Sequence, residues 1–268
     1  MKFQIDHDLH IHSRLSRCSR DREQTPARIL RYAEENGMST VCVTNHFWDA
    51  DVPEPSDWYW AQDYAHLAQE LPLPQSERVR FLFGCETDLN LDMKVGISPA
   101  RFDAFDFVII PTTHMHMAGF TVPKEVTPEE RAELYVKRLD SVLSMDLPFH
   151  KIGIAHLTTH LVYPKNDFTV VLNSIPDAEY KRLFAKAAEL GAGIELNAGD
   201  WGVEDYTPEQ LQATRRVFGI AKDQGCKFYL GSDAHHPEWF LQAPAIFESA
   251  VQSLGLCEND KFRPLLNN

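Results

Sequence analysis

The sequence predicts an α/β fold, a distorted barrel of seven parallel strands forming one domain over residues 1–268. Three observations carry this expectation. Short apolar runs with little polar alternation recur along the chain, as strands buried on both faces of a parallel sheet do. Between them stand the pairs Thr25-Pro26, Ser98-Pro99, Thr127-Pro128 and Thr207-Pro208, each a capping side chain followed by the residue best suited to the first helical position. An imidazole or a carboxylate also follows almost every apolar run. A closed barrel gathers such residues around one mouth, whereas the alternative, an open doubly wound sheet, would gather its site at one crevice.

Taken in order, the first strand is expected at Phe3-Gln4-Ile5, leading into Asp8-Leu9-His10-Ile11-His12-Ser13. Side chains two apart on a strand share a face, so His10 and His12 point the same way. An arginine-rich connection, Arg14 to Arg22, precedes a helix from Thr25-Pro26 that Gly37 closes. Strand two is Thr40 to Thr44, ending in Asn45-His46. An insertion over 47–78 holds Trp48, Trp58, Tyr59 and Trp60, with helix near 57–70; ordinary packing is the expected role of these aromatics, a pocket wall the other. Strand three is Arg80 to Gly84, stopping at Cys85-Glu86, and strand four, Phe107 to Ile110, runs to Thr113-His114. A long helix from Thr127-Pro128 reaches about Met145, and strand five, Ile152 to Ala155, meets His156 at once. A helix from Pro176 ends at Gly191, strand six is Gly193 to Asn197, and a helix from Thr207-Pro208 reaches about Gln224. Strand seven, Lys227 to Leu230, ends in Gly231-Ser232-Asp233-Ala234-His235, before a last helix and a polar tail.

Composition narrows the function. A net charge of −13 argues against a protein that coats nucleic acid or lies on a membrane, since both need a basic face. The five cysteines are widely spaced, with no Cys-x-x-Cys pair, so neither a zinc ribbon nor a disulfide framework is expected. No apolar leader and no membrane-length apolar run marks the chain, and a reducing cytoplasm is the expected location.

The chemistry lies at the strand ends. His10, His12, His46, Glu86, His114, His156, Asp233 and His235 follow six of the seven expected strands, always at the C-terminal end. Any one of them alone reads better as a satisfied structural residue. Eight imidazoles and carboxylates on one rim, however, are costly to bury without partners, and divalent metal ions are their standard partners. Catalytic ions take three or four protein ligands each, so this set suits two or three ions close together, the arrangement that serves displacement at phosphorus.

These motifs, in this order, resemble the PHP domain (polymerase and histidinol phosphatase) family across residues 8 to 235. Asp8-Leu9-His10-Ile11-His12-Ser13 looks like its first motif and Thr44-Asn45-His46 its second, with Asn where Asp is common. Gly84-Cys85-Glu86 looks like its bridging-glutamate segment, and Gly231-Ser232-Asp233-Ala234-His235 its last motif. The resemblance implies a distorted (β/α)7 barrel and two or three zinc, manganese or iron ions. It implies one ion held by His10, His12, Glu86 and Asp233, a second by Glu86, His114 and His156, and a third by His46 and His235. For the third, the loop after the first motif offers Cys18, Ser19 or Asp21, where members commonly have His or Asp. Cys18 is the soft donor of that set; its bland reading is a half-exposed loop thiol.

Around the rim, Asp8 is expected to orient a ligand by accepting an imidazole N–H, or else to be an exposed strand carboxylate. Glu195 and Asn197 stand at the remaining strand end, as substrate contacts or as polar caps. His116, His160 and His236 are expected to face solvent or substrate. Arg14 or Arg17 is the expected phosphate anchor, since a guanidinium holds phosphate bidentately. The expected function is hydrolysis of a small phosphate monoester by metal-activated water, histidinol phosphate being the substrate the family suggests. Glu86, Asp233 and His235 would take part directly, with Asp233 or a rim histidine moving the proton. A nucleotide or oligonucleotide phosphodiesterase and a non-catalytic metal-binding module are the alternatives, and the acidic charge disfavours a polymer substrate.

Overall fold

The structure, a computed structural model, describes residues 1–202 and 206–264; the end of the expected polar tail, 265–268, lies outside them. The strands are β1 (His7–Ile11), β2 (Thr40–Val43), β3 (Arg80–Glu86), β4 (Phe107–Pro111), β5 (Ile152–Ala155), β6 (Gly193–Asn197) and β7 (Lys227–Gly231). They pair in sequence order and every pair is parallel. The seam between β1 and β7 closes through a parallel bridge from Ile11 to Ala234. Two backbone bonds reinforce it, Asp233 N–H to His10 O at 2.7 Å and His12 N–H to Ala234 O at 3.1 Å. A barrel of seven strands results, as the strand count anticipated.

The first strand departs from expectation. Phe3 to Ile5 is not in a strand, and β1 is the His-bearing segment itself. Its residues look polar in sequence, yet all five are buried. A β-bulge between Asp8 and Ile11 breaks its register with β2, and such bulges re-aim side chains. Here Leu9 joins the barrel interior while His10 also reaches inward.

The interior is filled by Leu9, Cys42, Leu82, Phe107, Ile109, Ala155, Tyr229 and Phe262. The alternate residues of each strand, such as Val108, Ile110, Ile154, Ile194 and Leu230, pack outward against the helices. Gly153 belongs to the inward set: a Cβ there would stand 2.5 Å from the Tyr229 hydroxyl and 2.6 Å from Phe107. Absence of a side chain on β5 is thus what admits two aromatic rings.

The main helices start where their caps stand. They are α1 (Pro26–Glu35), a single turn α2 (Tyr64–Leu67), α3 (Pro128–Val142), α4 (Thr169–Ser174), α5 (Asp177–Leu190), α6 (Ala198–Trp201), α7 (Pro208–Asp223) and α8 (Ala243–Leu254). Thr127 with Glu130 and Thr207 with Gln210 form reciprocal capping boxes at α3 and α7. Asn36 caps α1, and Gly37 follows in the left-handed region at φ 65°. The Ser98-Pro99 start opens a 3-10 turn, Pro99–Ala104, rather than an α-helix. Helices α4 and α6 were not expected; four to six residues are too short to show a periodic apolar face.

Candidate metal centre

All seven strands deliver a polar side chain to the C-terminal mouth. β1 carries His10 with His12 just beyond it, β3 ends on Glu86, and β6 carries Glu195 and Asn197. His46, His114, His156, Asp233 and His235 follow their strands within a few residues. His156 and Asp233 both have positive φ, 61° and 53°. Left-handed backbone at a non-glycine residue costs on the order of 1–3 kcal/mol and clusters at functional sites. Here it turns both side chains back over the mouth.

Glu86 is the hub. Its Oε2 lies 3.3 Å from His12 Nε2, 3.5 Å from His10 Nε2 and 3.1 Å from His46 Nδ1. Its Oε1 lies 3.2 Å from His156 Nε2 and 3.7 Å from His114 Nε2. Asp233 Oδ1 stands 3.0 Å from His12 Nε2 and 3.4 Å from His10 Nε2, and its Oδ2 is 3.7 Å from His156 Nε2. His10 and His12 present their Nε2 atoms to each other at 3.1 Å. Three sets of donor atoms converge closely enough to hold an ion: His10 with His12 and Glu86, His10 with His156 and Asp233, and Glu86 with His114 and His156. A fourth comprises His12, Cys18, His46 and His235.

A surrounding layer fixes which nitrogen of each ring faces inward. His10 donates its Nδ1–H to Glu195 Oε1 at 2.6 Å, and His114 donates Nδ1–H to Asp88 Oδ1 at 2.9 Å. His235 donates Nδ1–H to the Asp233 carbonyl at 2.6 Å. Each of these rings keeps a lone pair on Nε2, the arrangement seen around metal-bound histidines. His12 Nδ1 meets the Ser16 hydroxyl at 3.0 Å, and the Asn197 amide donates to His156 Nδ1 at 3.5 Å. The buried atoms His46 Nδ1 and Glu86 Oε2 have no hydrogen-bond partner although they stand 3.1 Å apart. Orphaned donors of this chemistry, facing lone pair to lone pair, fit divalent ions.

The electrostatics agree. Burial works against charge on His10 and His156, but Glu195, Asp233 and Glu86 overcome it at His10, and Glu86 and Asp233 at His156. His10 is raised well above the usual imidazole range and His156 to about 9. Burial would likewise raise Asp233 and Glu86; the surrounding imidazoles, His10 among them, instead hold both well below the carboxylate range. His46 and His235 are pushed down by burial, His235 to about 4.

Several expectations are corrected here. Asp8 accepts no imidazole N–H and is not exposed: its Oδ1 takes the Ser232 and His10 backbone N–H groups, and its Oδ2 the Tyr32 hydroxyl. It ties β1 to the loop after β7. Arg17 is no free anchor, because its Nη1 donates to the carbonyls of Asp57 and Trp58 at 2.7 and 2.8 Å. Arg14 is exposed and lines neither cleft of the mouth. The aromatic insertion does more than pack, since Trp58 stands edge-on to His46 at 4.6 Å and Tyr59 donates to Asp88 at 2.6 Å. Asp88 was missed altogether, although its spacing two residues beyond Glu86 signals the same face. Glu195 orients His10, and His236 lies outside, 3.5 Å from Asp21.

Two clefts open from the rim. One, about 250 Å³, is lined by Cys18, Trp58, His116, Met117 and Leu161 around the His/Glu/Asp set. The other, about 320 Å³, shares His156, Leu161 and Asp233 with it and continues past His160 and Asn197 to Trp239 and Ile246. No lysine or arginine among the described residues lines either cleft.

A parallel barrel carrying this rim at its C-terminal mouth defines a metal-dependent hydrolase. The chain belongs to the PHP domain family, whose model matches residues 8–199. It is 28% identical over 248 residues to a probable histidinol-phosphatase of Deinococcus radiodurans, covering 86% of each chain. Its fold is similar to the histidinol phosphate phosphatase of Lactococcus lactis, whose crystal structure holds zinc, L-histidinol and phosphate. The TM-score is 0.60 at 17% identity, over 96% of this chain and 98% of that one. Among the described residues no helix is long and apolar enough to cross a membrane.

Proposed function

We propose that the protein is a metal-dependent phosphomonoesterase, cleaving a small phosphorylated alcohol to the alcohol and inorganic phosphate. The observation that carries this reading is the division of Glu86, with one oxygen among His10, His12 and His46 and the other between His114 and His156. With its oxygens divided in this way, Glu86 would be a ligand to two ions. His10, His12, Asp233 and Glu86 would hold one ion, and Glu86, His114 and His156 the second. Bound there, divalent ions supply a water that is nucleophilic at neutral pH and positive charge facing the phosphoryl oxygens.

The chain's own residues do the rest. Glu195 and Asp88 lock the rings of His10 and His114, so the rim needs no rearrangement when substrate arrives. Asp233, kept ionised by its imidazole neighbours, takes a proton from the attacking water at Oδ2 and returns it to the alcohol oxygen as the P–O bond breaks. The second cleft, opening from His156 and Asp233, receives the alcohol half. With no lysine or arginine of the described residues lining either cleft, charge on the phosphate falls to the ions, which disfavours an extended polyanion as substrate. Names of the relatives make L-histidinol phosphate the first substrate to try.

The test is turnover of a panel of phosphate monoesters, including L-histidinol phosphate, beside diesters, with and without chelator. Chelator-sensitive release of phosphate from monoesters is expected. Turnover of diesters alone, or none on any member after loading with zinc or manganese, would overturn the proposal.

A further inference from the structure

We infer that Arg131 and Arg138, both on α3, are positioning residues for one ion alone, the one expected at Glu86, His114 and His156. This rests on the two-ion reading above. Those three ligands stand at or just beyond the ends of β3, β4 and β5, and α3 runs between β4 and β5. Arg131 and Arg138 are seven residues apart, two helical turns, so both side chains leave the same face of α3. Each directs its guanidinium to main-chain carbonyls of the loops that carry these ligands.

Arg138 is wholly buried and serves the loops after β3 and β4. Its Nη2 donates to Leu89 O at 2.7 Å, its Nε to Thr112 O at 2.6 Å and its Nη1 to Thr121 O at 2.8 Å. Leu89 adjoins Asp88, the acceptor of the His114 ring, and Thr112 precedes His114 by two residues. Arg131 continues the clamp to the third loop. Its Nη1 donates to Met115 O at 2.7 Å, next to His114, and to Val162 O at 3.2 Å, in the loop after β5. The segment from Thr112 to Thr121 is therefore held at both shoulders, with His114 between them. Among the described residues, every hydrogen bond from these two side chains goes to such a carbonyl, and none reaches the segments bearing His10, His12 or Asp233. Burying a cation with no carboxylate partner is costly, and an apolar side chain would serve packing as well or better. What the planar fork supplies is direction: fixed donors that hold the carbonyls of three loops in one frame.

Zinc titration of the full chain against a competing chelator tests this without turnover. Arg138→Met should weaken one zinc position about 10–100-fold, the usual loss when an outer partner of a ligand is removed, and leave the others unchanged. His114→Ala, which deletes a ligand of the affected position, should abolish that same position, and adding Arg138→Met to it should change nothing further. Weakening of every position alike, or a further loss in the doubly altered protein, would reveal a general structural role and overturn the inference. Should Arg138→Met fail to fold, Arg131→Met decides, since that half-buried side chain makes only two of the bonds. The same single position should then weaken about 3–10-fold, and unchanged binding overturns the inference. Fewer than two zinc ions in the unaltered chain would overturn the two-ion reading and the inference with it, whereas two ions bound equally well in Arg138→Met would overturn the inference alone.

Discussion

His10 Nδ1 and Glu195 Oε1 lie 2.6 Å apart, although β1 and β6 are separated in the barrel by β7. The contact passes over Gly231 of β7: a Cβ there would stand 2.2 Å from Glu195 Oε1 and 2.8 Å from the His10 Cβ. One missing side chain therefore lets a carboxylate reach across an intervening strand to set the ring that faces Glu86. Glu195→Gln should weaken metal binding about 10–100-fold, the usual effect of losing an orienting carboxylate. Gly231→Ala should do at least as much and cost about 1–3 kcal/mol of stability by overpacking. Chelator competition and denaturant unfolding measure the two effects; unchanged metal affinity in Glu195→Gln would refute the orienting role.

Asp88 plays the same part for His114, with Tyr59 as its second partner. Asp88→Asn should lower metal affinity by about 10–100-fold, and Tyr59→Phe by less, since the carboxylate keeps the imidazole bond. If the tyrosine change were the more damaging, Asp88 would owe its role to the aromatic insertion rather than to His114.

Arg17 holds the carbonyls beneath Trp58, the residue edge-on to His46. Arg17→Ala should raise KM roughly 3–10-fold, about 1 kcal/mol of lost positioning, while inhibition by inorganic phosphate stays as it was. A phosphate anchor would instead show loss of that inhibition.

Chelation should lower the thermal midpoint. Ions at a thousand times their dissociation constant stabilise a fold by about 4 kcal/mol, on the order of 10 °C for a chain of this size. The seam is where the loss should show, because His10 and His12 stand on one side of it and Asp233 and His235 on the other. Hydrogen exchange should speed up at the Asp233 and His12 amides that close it. Equal midpoints with and without chelator would count against ions bound at this rim.

The pH dependence of the metal-free protein has a definite sign. His10 and His156 have raised values in the fold, so their pairing with carboxylates is fully present below about pH 6.5 and is lost as pH climbs through about 9, where His156 titrates. His46 and His235 are lowered, so they cost stability as pH falls below about 6.5, His235 until it titrates at about 4. The metal-free midpoint should peak near pH 6.5. Because ligation needs neutral rings, the gap to the loaded protein should widen from there to pH 9. Scanning both forms against pH checks this; a gap that closes as pH rises would contradict it.

Much of this was legible in the sequence because the two signals are independent. Apolar runs such as Phe107 to Ile110 are buried on both faces and mark strands, while the residue that follows each run marks the mouth. The signals failed where one residue had to serve both. β1 was displaced because Asp8 and His10 are buried strand residues of polar type, and hydrophobicity alone favoured Phe3 to Ile5. Glu195 and Asn197 share the inward face of β6, yet their reach to His10 and His156 depends on the small residue at 231 and on barrel curvature. Arg17 looked available because exposure of the chain says nothing about which carbonyls a loop brings beneath it. Asp88 and Tyr59 lie 29 residues apart, and their bond exists only once the insertion folds back over β3.

The closing seam also has a history. More than two hundred residues separate His12 from Asp233, which at a synthesis rate of about 5–20 residues per second delays the second by on the order of 10–40 s. Throughout that interval the earliest histidines are made but lack Asp233 and His235, and a nascent chain offers any passing cation only an incomplete claw. Selection among metals thus belongs to the finished barrel, when the last strand docks beside the first.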